Sequence, residues 1–197
     1  MQDAAIDRRT SGVRIPHRSA VRTFLNFAQA QAGWLACVLS AAADRAWMGI
    51  AAIAVLIGIH LMVSAERRSE AVLVLSAGFV GAATDTLLTQ LGFLQFERGI
   101  APLWMIALWM LFATTLRSSL AWLRTHLAVA ALVGALGGPA AYAAGERLGA
   151  LELATVWTSY AAIGISWALA LPMLLYLAHP SRAALTAPRN AARKAHG

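Results

Sequence analysis

Six apolar runs constrain this chain more than any motif in it, because each is close to the roughly 20 residues that cross a bilayer as a helix. They occupy residues 24–43, 46–63, 71–93, 102–123, 127–145 and 153–178. Of the 197 residues, 59% are hydrophobic and only 13% charged, about half the charged share of a soluble domain, and the mean hydropathy is +0.64. In lipid the backbone must satisfy its own hydrogen bonds within each segment. The expected fold is therefore all-α, a polytopic membrane bundle of about six transmembrane helices over residues 24–178. Short joins make consecutive helices antiparallel neighbours. Basic tails flank the bundle, a disordered one over 1–23 and a second over 179–197.

The net charge of +7 is explained by where the cations fall. Six spans put Arg8, Arg9, Arg14, Arg18, Arg22, Arg67, Arg68, Arg117, Arg124, Arg182, Arg189, Arg193 and Lys194 on one side, against Arg45, Arg98 and Arg147 on the other. Positive residues stay inside, so both termini are expected in the cytoplasm. No nucleic-acid partner is needed to account for the charge; contact of the tails with anionic lipid is the simpler expectation. Trp47, Trp104 and Trp157 would mark the outer interface and Trp122 the inner one. The first run is too long and too polar, with Asn26, Gln29 and Gln31, for a signal-peptide core.

Asp85 lies inside the third run, and an ionisable group at that depth is expensive and a site candidate by default. At about 1.5 Å of rise per residue it sits about 21 Å from the inner edge. Arg117 lies about 9 Å from that edge, too far for a direct pair. Trp109, Tyr142, Ser159, Tyr160 and Cys37 fall in the layer of Asp85, and a phenol of Tyr142 or Tyr160 is the expected donor to the carboxylate. Thr84, Thr86 and Thr89 add hydroxyls nearby. The alternative reading of Asp85 is a packing residue that ties helices together.

A second polar cluster, Asn26, Gln29, His60 and Arg117 with Ser118 and Ser119, gathers near the cytoplasmic face. Arg117 there either snorkels to lipid phosphates or bonds Gln29 and Asn26. In the fifth run Gly134 and Gly138 form a small-xxx-small pair suited to close helix packing. Gly137, Gly138 and Pro139 read as a kink or gate.

Recognised catalytic motifs are missing: no HExxH, GxSxG, P-loop or clustered histidines. One cysteine, Cys37, makes neither a disulfide nor a metal cluster. No metal and no cofactor are expected, and the balance leans away from an enzyme.

Asn26-Phe27, Trp34, residues 81–85, Pro102-Leu103-Trp104, Leu108-Trp109, Phe112-Ala113, residues 134–142 and Gly145 together resemble a family of uncharacterised bacterial inner-membrane proteins known as a domain of unknown function. The resemblance covers residues 26–175. It implies a bacterial inner-membrane location, and a lipid connection because members are often encoded beside fatty-acid-modifying genes such as cyclopropane synthases. The leading expectation is an accessory in membrane lipid or fatty-acid modification, with a lipid or acyl ligand beside Asp85, Trp109, Tyr142 and Tyr160 in a polar layer opening toward the outer leaflet. The alternatives are a small proton- or cation-coupled transporter and a scaffold of a membrane complex. Oligomeric state is not encoded in any feature of the chain.

Overall fold

The computed structural model describes residues 17–179, which form six α-helices and one two-stranded bridge. The helices are α1 (His17–Ala42), α2 (Ala46–Val63), α3 (Arg67–Gln90), α4 (Leu103–Leu116), α5 (Leu127–Arg147) and α6 (Val156–Leu177), and the strands are β1 (Leu94–Gln95) and β2 (Glu152–Leu153). Four helices, α2, α3, α5 and α6, are long and apolar enough to cross a membrane. The chain is a multi-pass membrane protein with an all-α bundle.

Two expected boundaries shift. Helix α1 begins at His17, so residues 17–23 are helical rather than part of a disordered tail; the rest of both tails lies outside the described residues. The polar residues Arg22, Thr23, Asn26, Gln29 and Gln31 keep α1 out of the strongly apolar set. The fourth segment does not run as one span to 123: α4 stops at Leu116 after 14 residues, about 21 Å. Thr114 and Thr115 turn their hydroxyls back onto the carbonyls of Leu111 and Phe112, at 2.7 and 2.6 Å, a competition that weakens a helix end. A short 3-10 turn, Ala121–Thr125, then leads into α5.

The helices pack as hairpins, α1 on α2, α3 on α4 and α5 on α6, with α4 also against α1 and α2. Both described chain ends meet at one end of the bundle. There Asn26 Nδ2 donates to the Thr114 carbonyl at 3.2 Å and its Oδ1 accepts from Ser119 at 3.0 Å, while Arg117 Nε donates to the Ala178 carbonyl at 2.8 Å. This end carries Arg22, Arg67, Arg68, Arg117 and Arg124 against Glu66 and Glu70; the opposite end has Arg45, Arg98 and Arg147 against Asp44, Glu97, Glu146 and Glu152.

The α3–α4 and α5–α6 hairpins share a plan that the linear sequence conceals. Gly92 and Gly149 follow α3 and α5 with φ of 78° and 81°, the left-handed conformation in which glycine carries no Cβ penalty. Phe93 N–H bonds Leu88 O and Gly92 N–H bonds Thr89 O; Ala150 and Gly149 repeat the pattern onto Gly145 and Glu146. This is the Schellman stop. Each stop releases the chain into a two-residue strand, and the strands pair antiparallel, Leu94 with Leu153 and Gln95 with Glu152. Gly81, Asp85, Leu91 and Gly92 have equally spaced counterparts in Gly138, Tyr142, Leu148 and Gly149, so the two hairpins are a structural repeat clasped at its strands.

Candidate functional site

The repeat places a glycine on α3 and on α5 where an indole must pass. A Cβ at Gly81 would collide with the Trp109 ring, and one at Gly138 with the Trp167 ring. Each helix thus opens a flat seat for the tryptophan of its own hairpin partner. The two indoles stack face to face, with centroids 4.2 Å apart and planes 18° from parallel, and Phe112 meets Trp167 edge-on at 5.2 Å. Such pairs add about 0.5–1.5 kcal/mol beyond burial. Gly134, one turn earlier on α5, lets the Trp167 carbonyl approach its helix, so the small-xxx-small pair packs α5 on α6.

Asp85 follows Gly81 by one helical turn and Tyr142 follows Gly138 by one turn, which brings them to the same level beside the stacked indoles. Asp85 is wholly buried. Trp109 Nε1 donates to its Oδ2 at 2.8 Å, and Tyr142 Oη donates to its Oδ1 at 2.5 Å. Both carboxylate oxygens are therefore held by neutral donors from two other helices, with no cation in the arrangement. Trp167 Nε1 is the one buried side-chain nitrogen or oxygen among the described residues that has no hydrogen-bond partner.

Against the expected layer, Trp109 and Tyr142 reach Asp85 and the others do not. Ser159 Oγ donates to the Phe93 carbonyl at 2.7 Å, and Tyr160 Oη to Glu146 Oε2 at 3.3 Å, so both serve the strand end one or two turns beyond. Of the threonines, Thr89 bonds the backbone carbonyl of Asp85 and Thr86 accepts from the Ala101 N–H. Cys37 is buried with its sulfur 3.7 Å from the Trp104 carbonyl. Trp104 is itself 8% exposed, an interior residue rather than part of an interfacial belt, because α4 enters the bundle at its N-terminus. Helix α5 continues unbroken through Pro139.

The second cluster forms around different residues than expected. Arg117 neither snorkels nor meets Gln29 or Asn26: its Nη2 donates to Ser69 Oγ at 2.8 Å, and Nη1 lies 3.5 Å from Glu70 Oε1. His60 Nε2 stands 3.3 Å from Glu70 Oε2. Glu70 is 7% exposed. Because α3 begins at Arg67, Ser69 and Glu70 lie in its first turn rather than in a loop, and their side chains turn inward. The guanidinium also binds the Ala178 carbonyl, where a helix C-terminus attracts cations. The network ties α2, α3, α4 and the end of α6 together, while Gln29 joins none of it. Among the described residues no group of three or more His, Cys, Asp or Glu is placed to hold a metal.

Beside the indole stack lies a cavity of about 380 Å³, within the roughly 300–1,000 Å³ of ligand pockets. Its walls come from α1, α4, α5 and α6, and Phe27, Trp34, Trp104, Trp109, Phe112, Tyr142 and Trp167 supply its aromatic lining. Gly137 lines it too, and a Cβ there would meet nothing within 4 Å. Asp85 does not line the cavity; Trp109 and Tyr142 stand between them. Trp167, Ser69 and Glu70 are participants that the sequence reading overlooked. The paired glycines Gly134 and Gly138 were the available signal for Trp167, and an acid at the start of a helix for Glu70.

A family model described as Protein of unknown function (DUF2878) matches residues 23–173, which include all or most of every helix. No curated protein and no solved structure matches the chain. The chain belongs to the DUF2878 family.

Proposed function

We propose that this DUF2878 member binds a membrane lipid through an acyl chain and serves as an accessory in membrane lipid or fatty-acid modification, in a bacterial inner membrane with both termini cytoplasmic. The cavity of about 380 Å³ between α1, α4, α5 and α6 carries this reading. Its lining is aromatic and aliphatic with few polar atoms, the composition that suits a hydrocarbon chain rather than a hydrated solute. Gln31, Val133 and Gly137 line it and are exposed, so it communicates with the lipid-facing side of the bundle. Asp85 supports the wall: its carboxylate fixes Trp109 and Tyr142, both of which face the cavity.

A transporter needs its ionisable residue to exchange with solvent or solute. Asp85 is enclosed and both its oxygens are engaged, which favours the lipid reading over ion coupling. A scaffold has no need of a cavity. The orientation rests on the arginines gathered at the end where both chain termini lie, the side expected to remain cytoplasmic.

Lipidomics of a deletion strain tests the role. The expected result is a changed acyl-chain composition of membrane phospholipids, restored by the wild-type gene. A profile identical to the parent under conditions where the gene is expressed removes the lipid role.

A further inference from the structure

We propose, resting on the acyl-chain reading above, that the ligand is an anionic phospholipid of the leaflet at the arginine-rich end. One of its chains slides in sideways between α1 and α5, and its phosphate stays at a mouth formed by Thr23, Ser119 and Trp122. The cavity has a closed end and an open end. Towards the strand end its walls are Val38, Trp104, Gly145 and Leu151, all buried. Towards the arginine-rich end it reaches Phe27, which is 46% exposed, and Leu120. Those same two residues also line a shallow surface depression with Thr23, Phe24, Ser119 and Trp122, so the two hollows lie side by side with Phe27 and Leu120 as their common wall.

Helix packing explains the sideways opening. Helix α1 packs on α2 and α4, and α5 packs on α6 and the 3-10 turn, leaving the cavity in the space between α1 and α5 with α4 as its floor. Length sets the occupant. From Phe27 to Val38 along α1 is about 16 Å at 1.5 Å per residue, matching one leaflet, half of a hydrocarbon core about 30 Å thick. One acyl chain of a lipid anchored in the near leaflet fills that depth.

Charge selects the head group. The mouth offers the hydroxyl of Thr23 and the exposed indole of Trp122, with no acidic residue among its lining, while the Ser119 hydroxyl is held by Asn26. Arg22, exposed, precedes Thr23 on α1, whereas Arg124 is bonded to the Ala121 and Ala178 carbonyls. At the opposite end Asp44, Glu97, Glu146 and Glu152 disfavour a phosphate. Basic residues near an anionic surface each contribute about 1 kcal/mol.

The test uses full-length protein in nanodiscs containing phosphatidylglycerol with a diazirine either at the tail terminus or next to the glycerol, with labelled peptides mapped by mass spectrometry. The terminal probe is expected to label residues 138–145 of α5, and the glycerol-proximal probe residues 23–27 of α1 and 119–122. Gly137→Phe fills the cavity without a backbone clash and is expected to reduce the deep labelling roughly tenfold. Arg22→Gln is expected to reduce labelling about fivefold, and phosphatidylcholine carrying the same probes to label less than phosphatidylglycerol. The reverse pattern, tail terminus at 23–27 and glycerol at the strand end, overturns the assigned leaflet while leaving acyl binding standing. Equal labelling by phosphatidylcholine overturns the anionic head group. Absence of cavity labelling by either probe, with wild type and Gly137→Phe alike, overturns acyl binding itself.

Discussion

The α3–α4 and α5–α6 hairpins each seat an indole on a glycine, Trp109 on Gly81 and Trp167 on Gly138, yet only Trp109 has a hydrogen-bond acceptor. The repeat diverges at one decisive pair of equivalent positions, Asp85 and Tyr142. If both were aspartates, two carboxylates would face each other in an apolar interior and could not both ionise. If both were tyrosines, no strong acceptor would serve Trp109. One acid opposite one phenol gives an acceptor with two oxygens and two donors to fill them. A duplicated frame thus becomes a matched contact only through asymmetry, and that contact holds two walls of the cavity.

Removing the acceptor is the strongest way to break the comparison. Asp85→Ala leaves the Trp109 and Tyr142 donors buried without a partner, at about 1–3 kcal/mol each. The expected outcome is a large fall in thermal stability in detergent and loss of monodisperse protein on size exclusion, with Asp85→Asn intermediate because one acceptor oxygen remains. An Asp85→Ala protein as stable as wild type would mean that the carboxylate contributes nothing to the fold.

The two glycine seats differ in how firmly their tryptophans are held. Gly81→Ala pushes a methyl into an indole that is tethered to Asp85, whereas Gly138→Ala meets one whose N–H is bonded to nothing among the described residues. Overpacking costs about 1–3 kcal/mol, and the Gly81 variant is expected at the upper end of that range. Parallel melting curves of the two variants measure the difference. A larger loss at Gly138 would show that Trp167 is the less adjustable ring.

Much of this frame was legible in the sequence, and the rest was hidden for identifiable reasons. Apolar runs located the helices because lipid leaves the backbone one solution, and depth arithmetic along straight helices put Tyr142 and Trp109 at the level of Asp85 and excluded Arg117. The same arithmetic is blind to rotation about a helix axis. It therefore could not separate Tyr142 from Tyr160, which lies at a similar depth but turns to Glu146. Glu70 falls just outside the apolar run 71–93, where a charge reads as its boundary; its inward turn depends on Arg117 and His60, which are distant in sequence. The repeat is concealed because its central residues are chemically unlike, Asp85 against Tyr142, while only the glycines and the Leu91/Leu148 pair keep their identity among the equivalent positions.

A smaller effect is expected from Tyr142→Phe, which leaves ring volume in place and removes one donor from Asp85. Interhelical bonds in membranes average about 0.6 kcal/mol, although a carboxylate acceptor raises the figure to about 1.5–3 kcal/mol. The diagnostic is a double-mutant cycle with Asp85→Asn. Coupling of about 1 kcal/mol is expected for residues that share a hydrogen bond, and strict additivity would show that the contact contributes nothing beyond packing.

Truncating the two stacked rings sharpens the comparison most. Trp109→Phe and Trp167→Phe delete the same atoms from two stacked rings, so cavity and stacking losses are nearly alike. Only Trp109 also loses a hydrogen bond, and it leaves Asp85 Oδ2 without its indole donor. Trp167→Phe removes an N–H that was buried without a partner, relieving a desolvated donor and offsetting part of the packing loss. Trp109→Phe is expected to destabilise the protein by about 1–3 kcal/mol more than Trp167→Phe, read as the gap between their unfolding curves in one detergent. Equal losses would mean that the Trp167 N–H has an acceptor in the folded protein, and the nearest chemistry for it is the oxygen of Tyr142, which would extend the Asp85 contact into a chain spanning both hairpins.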